Sequence, residues 1–214
     1  MFDYVRDPAS ITERSFEIVK AEADLQGLAP LEAEVAIRLV HACGMPDIVP
    51  DLRFNGDPVA AGRRALAQGR PVLADTEMVA AGIQHNRLSQ GNQVVCTLND
   101  DRVPKLARLL VNTRSAAAVE LWRLHLEGAV AVVGNAPTAL YRLLELIEEG
   151  TGPPAVILGF PVGFVGAAES KDALVDHAGD IPFITLLGRR GGSALAAACV
   201  NALAAAGPAP EKSP

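Results

Sequence analysis

Ala129-Val-Ala-Val-Val-Gly-Asn-Ala-Pro-Thr138 is the stretch that decides the fold. Its first five residues are apolar at every position, and a Gly-Asn turn then leads into a helical pattern from about Thr138 to Glu149. A strand that alternates polar with apolar residues belongs to a half-solvated sheet. A strand that is apolar throughout is buried on both faces, which points to a parallel sheet covered by helices. The same unit recurs on either side. Pro71-Val-Leu-Ala-Asp75 reads as a strand followed by a helix from Glu77 to Ile83. Gln93-Val-Val-Cys-Thr97 is a strand followed by helices from Pro104 and from about Ser115 to Leu126. Ala155 to Leu158 is a strand, with Glu169 to Val175 in a helix, and Phe183 to Leu187 is a strand before a helix from Ser193 to Ala206.

Ahead of these units the pattern is helical. Ser10-Ile-Thr-Glu13 fits a capping box opening a helix to about Leu25. Pro30 suits the first turn of a second helix, with Leu31, Val35 and Leu39 on one face and Gly44 and Pro46 ending it. A third helix covers Val59 to Gln68. The expectation is a three-layer α/β/α domain over residues 1–206, with a five-stranded, mostly parallel sheet and N-terminal helices preceding it. Gly207 to Pro214 reads as a disordered tail. No internal repeat or linker divides the chain.

Composition narrows the function. The chain has 214 residues, 50% hydrophobic and 21% charged, enough for a sizeable core and too apolar for global disorder. Aromatic residues are only 4%, while Ala and Gly abound, which favours close helix-on-sheet packing. A net charge of −6 without a basic stripe argues against nucleic acid. Cys43, Cys96 and Cys199 are scattered and form no disulfide framework. The opening Met-Phe-Asp-Tyr-Val-Arg-Asp lacks the apolar core of a signal peptide, and no apolar run approaches the roughly 18 to 20 residues that span a bilayer. The expected location is the cytoplasm.

In open parallel sheets ligands bind beyond the carboxyl ends of the strands. The segments there include Asp75-Thr-Glu-Met78, Gly134-Asn-Ala-Pro-Thr138, Gly159 to Gly166 and Gly188-Arg-Arg-Gly-Gly-Ser193. The third opens Gly159-Phe-Pro-Val-Gly-Phe-Val-Gly-Ala-Ala-Glu-Ser-Lys171, where glycines allow close backbone approach and Phe and Val offer an apolar surface. It reads as a contact for a large, greasy, acidic ligand, or as a tight strand-to-helix turn packing its own Phe residues. His41 falls in the last turn of its helix, where the carbonyl end favours a cation; it is a general acid or a cap on its own helix. Cys43 is a nucleophile or, more commonly for such a residue, a small buried thiol. Arg114, beside Thr113 and Ser115 at a helix start, suits bidentate capture of a carboxylate or a surface ion pair. Gly188 to Ser193 lacks the spacing of a phosphate loop. His85, His125 and His177 show no metal-ligand spacing, and no metal site is expected.

Arg14-Ser15-Phe16, His41-Ala-Cys-Gly44, Asn112-Thr-Arg-Ser-Ala-Ala-Ala118, Gly134-Asn-Ala-Pro-Thr-Ala-Leu140 and Pro161-Val-Gly-Phe-Val-Gly-Ala-Ala-Glu-Ser-Lys171 resemble the precorrin-8X methylmutase family of corrin-ring biosynthesis, from about Tyr4 to Ala204. The resemblance implies an isomerase that moves a methyl group from carbon 11 to carbon 12 of the macrocycle precorrin-8X, giving hydrogenobyrinate. The reaction is a 1,5-sigmatropic shift needing no cofactor. It implies His41 as general acid, Ser15 as a substrate-binding residue, and a homodimer with the active site near the interface. Loop position and residue type add Arg87, Arg114, Asn135, Gly163 and Phe164 to the substrate-binding set. His41 precedes the first strand, so the sheet alone does not place it at the ligand edge; a dimer would, if the N-terminal helices of one subunit reach the other's cleft. The competing readings are a non-catalytic corrinoid carrier that hands its cargo to the next enzyme, and a nucleotide-binding protein resting on Gly188 to Ser193.

Overall fold

The uniformly apolar segments form the buried centre of a sheet in the computed structural model, which describes residues 2, 4–88 and 90–205. The strands are β1 (Leu52–Asn55), β2 (Val72–Ala74), β3 (Val94–Cys96), β4 (Val130–Val133), β5 (Val156–Gly159) and β6 (Phe183–Leu186), in the order β1-β6-β5-β4-β2-β3. β2 to β6 are parallel, and β1 runs antiparallel along β6 with Leu52 opposite Leu186. The five expected strands are therefore present, joined by one more at the edge. The expected tail, residues 207–214, lies outside the described residues.

Side-chain alternation sorts the strands onto two cores. Val72, Ala74, Val130, Val132, Val156 and Leu158 face one way, toward α2 (Pro30–Cys43), α3 (Pro58–Ala67), α4 (Glu77–Gly82) and α9 (Ser193–Ala205). Leu73, Ala131, Val133 and Ile157 face the other, toward α7 (Pro137–Glu148) and α8 (Ala167–His177). α5 (Val103–Leu109) and α6 (Arg114–Glu120) pack together beside β3, and α1 (Pro8–Glu22) lies on α2. Among the boundaries that differ from the sequence expectation, two have a local cause. The N-cap of α1 is Asp7, whose carboxylate accepts from the Ser10 N–H at 2.8 Å, because Pro8 takes the first helical position; Ser10 is inside the helix. α6 stops at Glu120 because the N–H groups of Leu121 and Trp122 turn back to carbonyls three residues earlier, tightening the last turn. Trp122 is then buried, its indole N–H donating to Thr97 Oγ1 at 3.1 Å.

β2 is flanked by β3 on one side and β4 on the other, so the winding of the chain reverses between β2 and β4. Asp75 follows β2 at that crevice and is buried. Its carboxylate accepts from the N–H groups of Gly134, Asn135 and Ala136 at 2.9, 2.9 and 3.0 Å, closing the N-terminal end of α7. Burial raises the Asp75 carboxyl from its ordinary value, against the opposing pull of these N–H groups.

Candidate active site

His41 sits in the last turn of α2, which Gly44 ends in a left-handed conformation at φ 69°. Consecutive residues of α1 grip its ring. Ser15 Oγ lies 2.8 Å from His41 Nδ1, and Phe16 meets the imidazole edge-on at 5.0 Å between centroids. The other ring nitrogen has no hydrogen-bond partner among the described residues. His41 opens onto a cavity of ≈ 510 Å³ lined by α1 (Thr12, Phe16), α2 (Arg38, His41, Ala42), the turn after α4 (Gln84, Arg87) and α9 (Ala198, Asn201, Ala202). Asn201 holds that turn in place, accepting from the Gln84 N–H at 2.8 Å and donating to the Gly82 carbonyl at 3.0 Å.

The cavity wall carries surplus positive charge. Arg38 is half-buried and its guanidinium lies 5.6 Å from the Phe16 ring centroid. Burial lowers the Arg38 guanidinium from its ordinary value, and the charge of Arg87 pushes the same way, against the weaker opposing charge of Glu34. Glu34, one helical turn before Arg38, is engaged by buried Arg63 at 3.0 Å.

The other expected residues gather at the carboxyl edge of the sheet. Arg114 opens α6, exposed, with its guanidinium donating to the Leu98 carbonyl at 3.2 Å and to Asn99 Oδ1 at 3.4 Å. Asn135 follows β4 and is exposed. Val162, Phe164 and Val165 expose apolar side chains, Phe164 at 85%, so this loop does not pack its own aromatic ring at Phe164 into the core. Phe160, by contrast, is fully buried. The loop is braced against residues 188–192: the Gly163 N–H donates to the Arg189 carbonyl at 3.2 Å and the Gly192 N–H to the Phe160 carbonyl at 2.7 Å. Lys171 of α8 is fully buried beneath it, and its Nζ donates to the Arg190 carbonyl at 2.6 Å.

The structure thus brings Ser15, His41 and Arg87 together and sets Arg114, Asn135, Gly163 and Phe164 at the sheet edge; none of the latter lines the His41 cavity. Sequence reasoning missed Phe16 as a ring support, and Arg38, Gln84 and Asn201 as cavity residues. Arg38 had a readable signal, since it stands three residues before His41 on one helical face. Asn201, 160 residues from His41, had none. The remaining candidates are accounted for structurally. Cys43 donates to the Val40 carbonyl and burial pushes its thiol up; burial pushes Cys96 up to about 11. Arg190 of the Gly188 to Ser193 segment is paired with Asp47 and Asp51 at 2.6 and 2.7 Å. No cluster of three or more His, Cys, Asp or Glu suited to a metal occurs among the described residues.

Fold and site together define a doubly wound α/β protein with an imidazole set among arginines in an open cavity. The precorrin-8X methylmutase family model matches residues 10–206. Precorrin-8X methylmutase of Pseudomonas aeruginosa is 55% identical over 204 residues, covering 95% of this chain and 98% of the relative. A Sinorhizobium protein of the same name is 52% identical over 206 residues, covering 96% and 98%. The crystal structure of the Thermus thermophilus precorrin-8X methylmutase superposes with a TM-score of 0.82 at 40% identity, over 92% of this chain and 96% of that one. The chain belongs to the precorrin-8X methylmutase family: it is an isomerase, an intramolecular transferase of cobalamin biosynthesis.

Proposed function

We propose that the protein moves a methyl group from carbon 11 to carbon 12 of precorrin-8X, giving hydrogenobyrinate, with His41 as the proton donor. The observation that carries this reading is the 2.8 Å contact between Ser15 Oγ and His41 Nδ1 beside the cavity. Ser15 Oγ engages Nδ1, so the proton that moves is one carried on Nε2. Delivered to a ring nitrogen, it draws electron density through the conjugated system and weakens the bond that holds the methyl group on carbon 11. The bond from carbon 11 to the methyl group breaks as the bond from carbon 12 forms, and the adjoining double bonds of the conjugated ring shift with them so that every carbon keeps four bonds. Substrate and product are isomers, so the proton returns to Nε2 and the residue ends as it began. Proton transfer of this kind contributes roughly 100- to 10,000-fold; holding the macrocycle in a reactive shape supplies the rest. Ser15, Arg87, Arg114, Asn135, Gly163 and Phe164 bind the substrate in this reading.

Precorrin-8X is preferred as substrate over its cobalt complex. The relatives named for precorrin-8X share 55% and 52% identity with this chain, whereas the cobalt-precorrin-8 methylmutase of Priestia megaterium shares 34%. We further propose a cytoplasmic homodimer that hands its product to the next enzyme. The exposed side chains of Leu109, Val111, Phe164 and Val165 support a subunit contact at the carboxyl edge, where Thr113 meets Thr138 at 2.7 Å. Such a contact would carry Arg114, Asn135 and Phe164 toward a partner's His41. Among the described residues no helix is long and apolar enough to cross a membrane.

The test is the absorbance spectrum of precorrin-8X incubated with the wild type and with His41→Ala. Conversion by the wild type alone supports the assignment. Pigment bound unchanged by both proteins would identify a carrier and withdraw the catalytic role.

A further inference from the structure

The His41 cavity is lined by two guanidinium groups and by no Asp or Glu. Neither Arg38 nor Arg87 has a carboxylate within ion-pair distance among the described residues. The nearest acid on α2, Glu34, is held by Arg63 instead. Two like charges facing one cavity repel each other, and a half-buried arginine loses hydration; both costs are relieved by an anion that enters between them. Arg38 is also pre-set. Its guanidinium stacks toward Phe16, whose ring in turn abuts His41, so the cation and the imidazole share one aromatic support. Arg38 and Phe16 separate this cavity from a smaller one of ≈ 170 Å³ that holds Lys20 and Glu34, which places the guanidinium in the partition between the two.

Resting on the functional reading above, we infer that Arg38, together with Arg87, forms a carboxylate subsite that seats an acidic side chain of the macrocycle beside His41. A planar guanidinium meets a carboxylate with two parallel hydrogen bonds, which fixes direction as well as charge. The subsite therefore sets which edge of the macrocycle lies against the imidazole. It also makes the enzyme selective for free acids over carboxamides at that edge, because a carboxamide leaves the two arginines without a counter-charge. Arg38 is a binding residue here: it touches the substrate's periphery and leaves proton transfer to His41.

The experiment compares hydrogenobyrinate with an analogue whose side-chain carboxylates are carboxamides, measuring binding by absorbance titration to the wild type, Arg38→Gln, Arg38→Lys and Arg87→Gln, with steady-state kinetics on precorrin-8X alongside. Arg38→Gln is expected to weaken hydrogenobyrinate binding on the order of 10-fold or more while leaving the carboxamide unchanged. KM should rise with kcat altered less than about 3-fold, and Arg38→Lys should restore part of the loss. Arg87 is exposed, so Arg87→Gln carries the same comparison without disturbing α2 even if Arg38→Gln folds poorly. An acid-over-amide preference equal to the wild type's in both glutamine variants would overturn the inference. A wild type that neither converts precorrin-8X nor binds hydrogenobyrinate would overturn the functional reading itself.

Discussion

Replacing Lys171 with Met tests how the carboxyl-edge loops are held. Lys171 is fully buried in α8, and its only hydrogen-bond partner among the described residues is the Arg190 carbonyl at 2.6 Å. Burial pulls the ammonium from 10.5 down to about 8, with Asp172 opposing. That fall corresponds to roughly 3 kcal/mol spent at neutral pH on keeping the charge. Between about pH 8 and 10.5 the unfolded chain retains the lysine proton while the folded chain has released it. The unfolded state then binds more protons, so stability rises with pH across this window and is flat below it. Lys171→Met removes the burial cost and also a charge-assisted hydrogen bond of about 1.5–3 kcal/mol. The two nearly cancel at pH 7, where the variant should lie within about 2 kcal/mol of the wild type. At pH 10.5 the wild type should have gained roughly 3 kcal/mol on the variant. Urea unfolding at half-unit steps from pH 7 to 10.5 reads the difference directly. Parallel stability profiles for the two proteins would refute the reasoning, because they would mean that Lys171 titrates alike folded and unfolded.

Two other substitutions have expected outcomes. Ser15→Ala removes the partner of His41 Nδ1 and a substrate-binding hydroxyl together, so kcat should fall on the order of 10-fold and KM should rise; the absorbance assay on precorrin-8X reads both. Asp75→Asn turns an NH₂ group toward backbone N–H groups that both carboxylate oxygens now serve, and should destabilise the fold by roughly 2–4 kcal/mol, read as a lower urea midpoint.

The parallel sheet was readable because burial on both faces leaves a signature within each segment: Val130 to Val133 and Val156 to Leu158 carry no polar residue. β1 escaped for the opposite reason. Leu52-Arg-Phe-Asn55 is short, half-polar, and set between Pro50 and Gly56, so it looks like a loop until β6 is beside it. The cap of α1 was misread because Ser10 and Glu13 fit a spacing rule, while the proline that fixes the helix start, Pro8, outranks it sterically. At the site, His41 and Ser15 were legible through the family's motifs. Their contact was not, because it joins residues 26 apart on two crossing helices. Asp75 showed only as a strand end; its role depends on three N–H groups about sixty residues downstream that arrive through strand pairing rather than through any local pattern.

The cavity beside His41 takes its walls from α1 and α2 at one end of the described chain and from α9 at the other, with the turn carrying Gln84 and Arg87 between them. In a chain made from the N-terminus, the helix that carries His41 emerges early and waits. Its complementary wall reaches it only after every strand of the sheet has been synthesised and α9 has folded back across α2. Until α9 is made, the described chain lacks Ala198, Asn201 and Ala202, so the cavity beside His41 is missing one whole wall however early α1 and α2 meet.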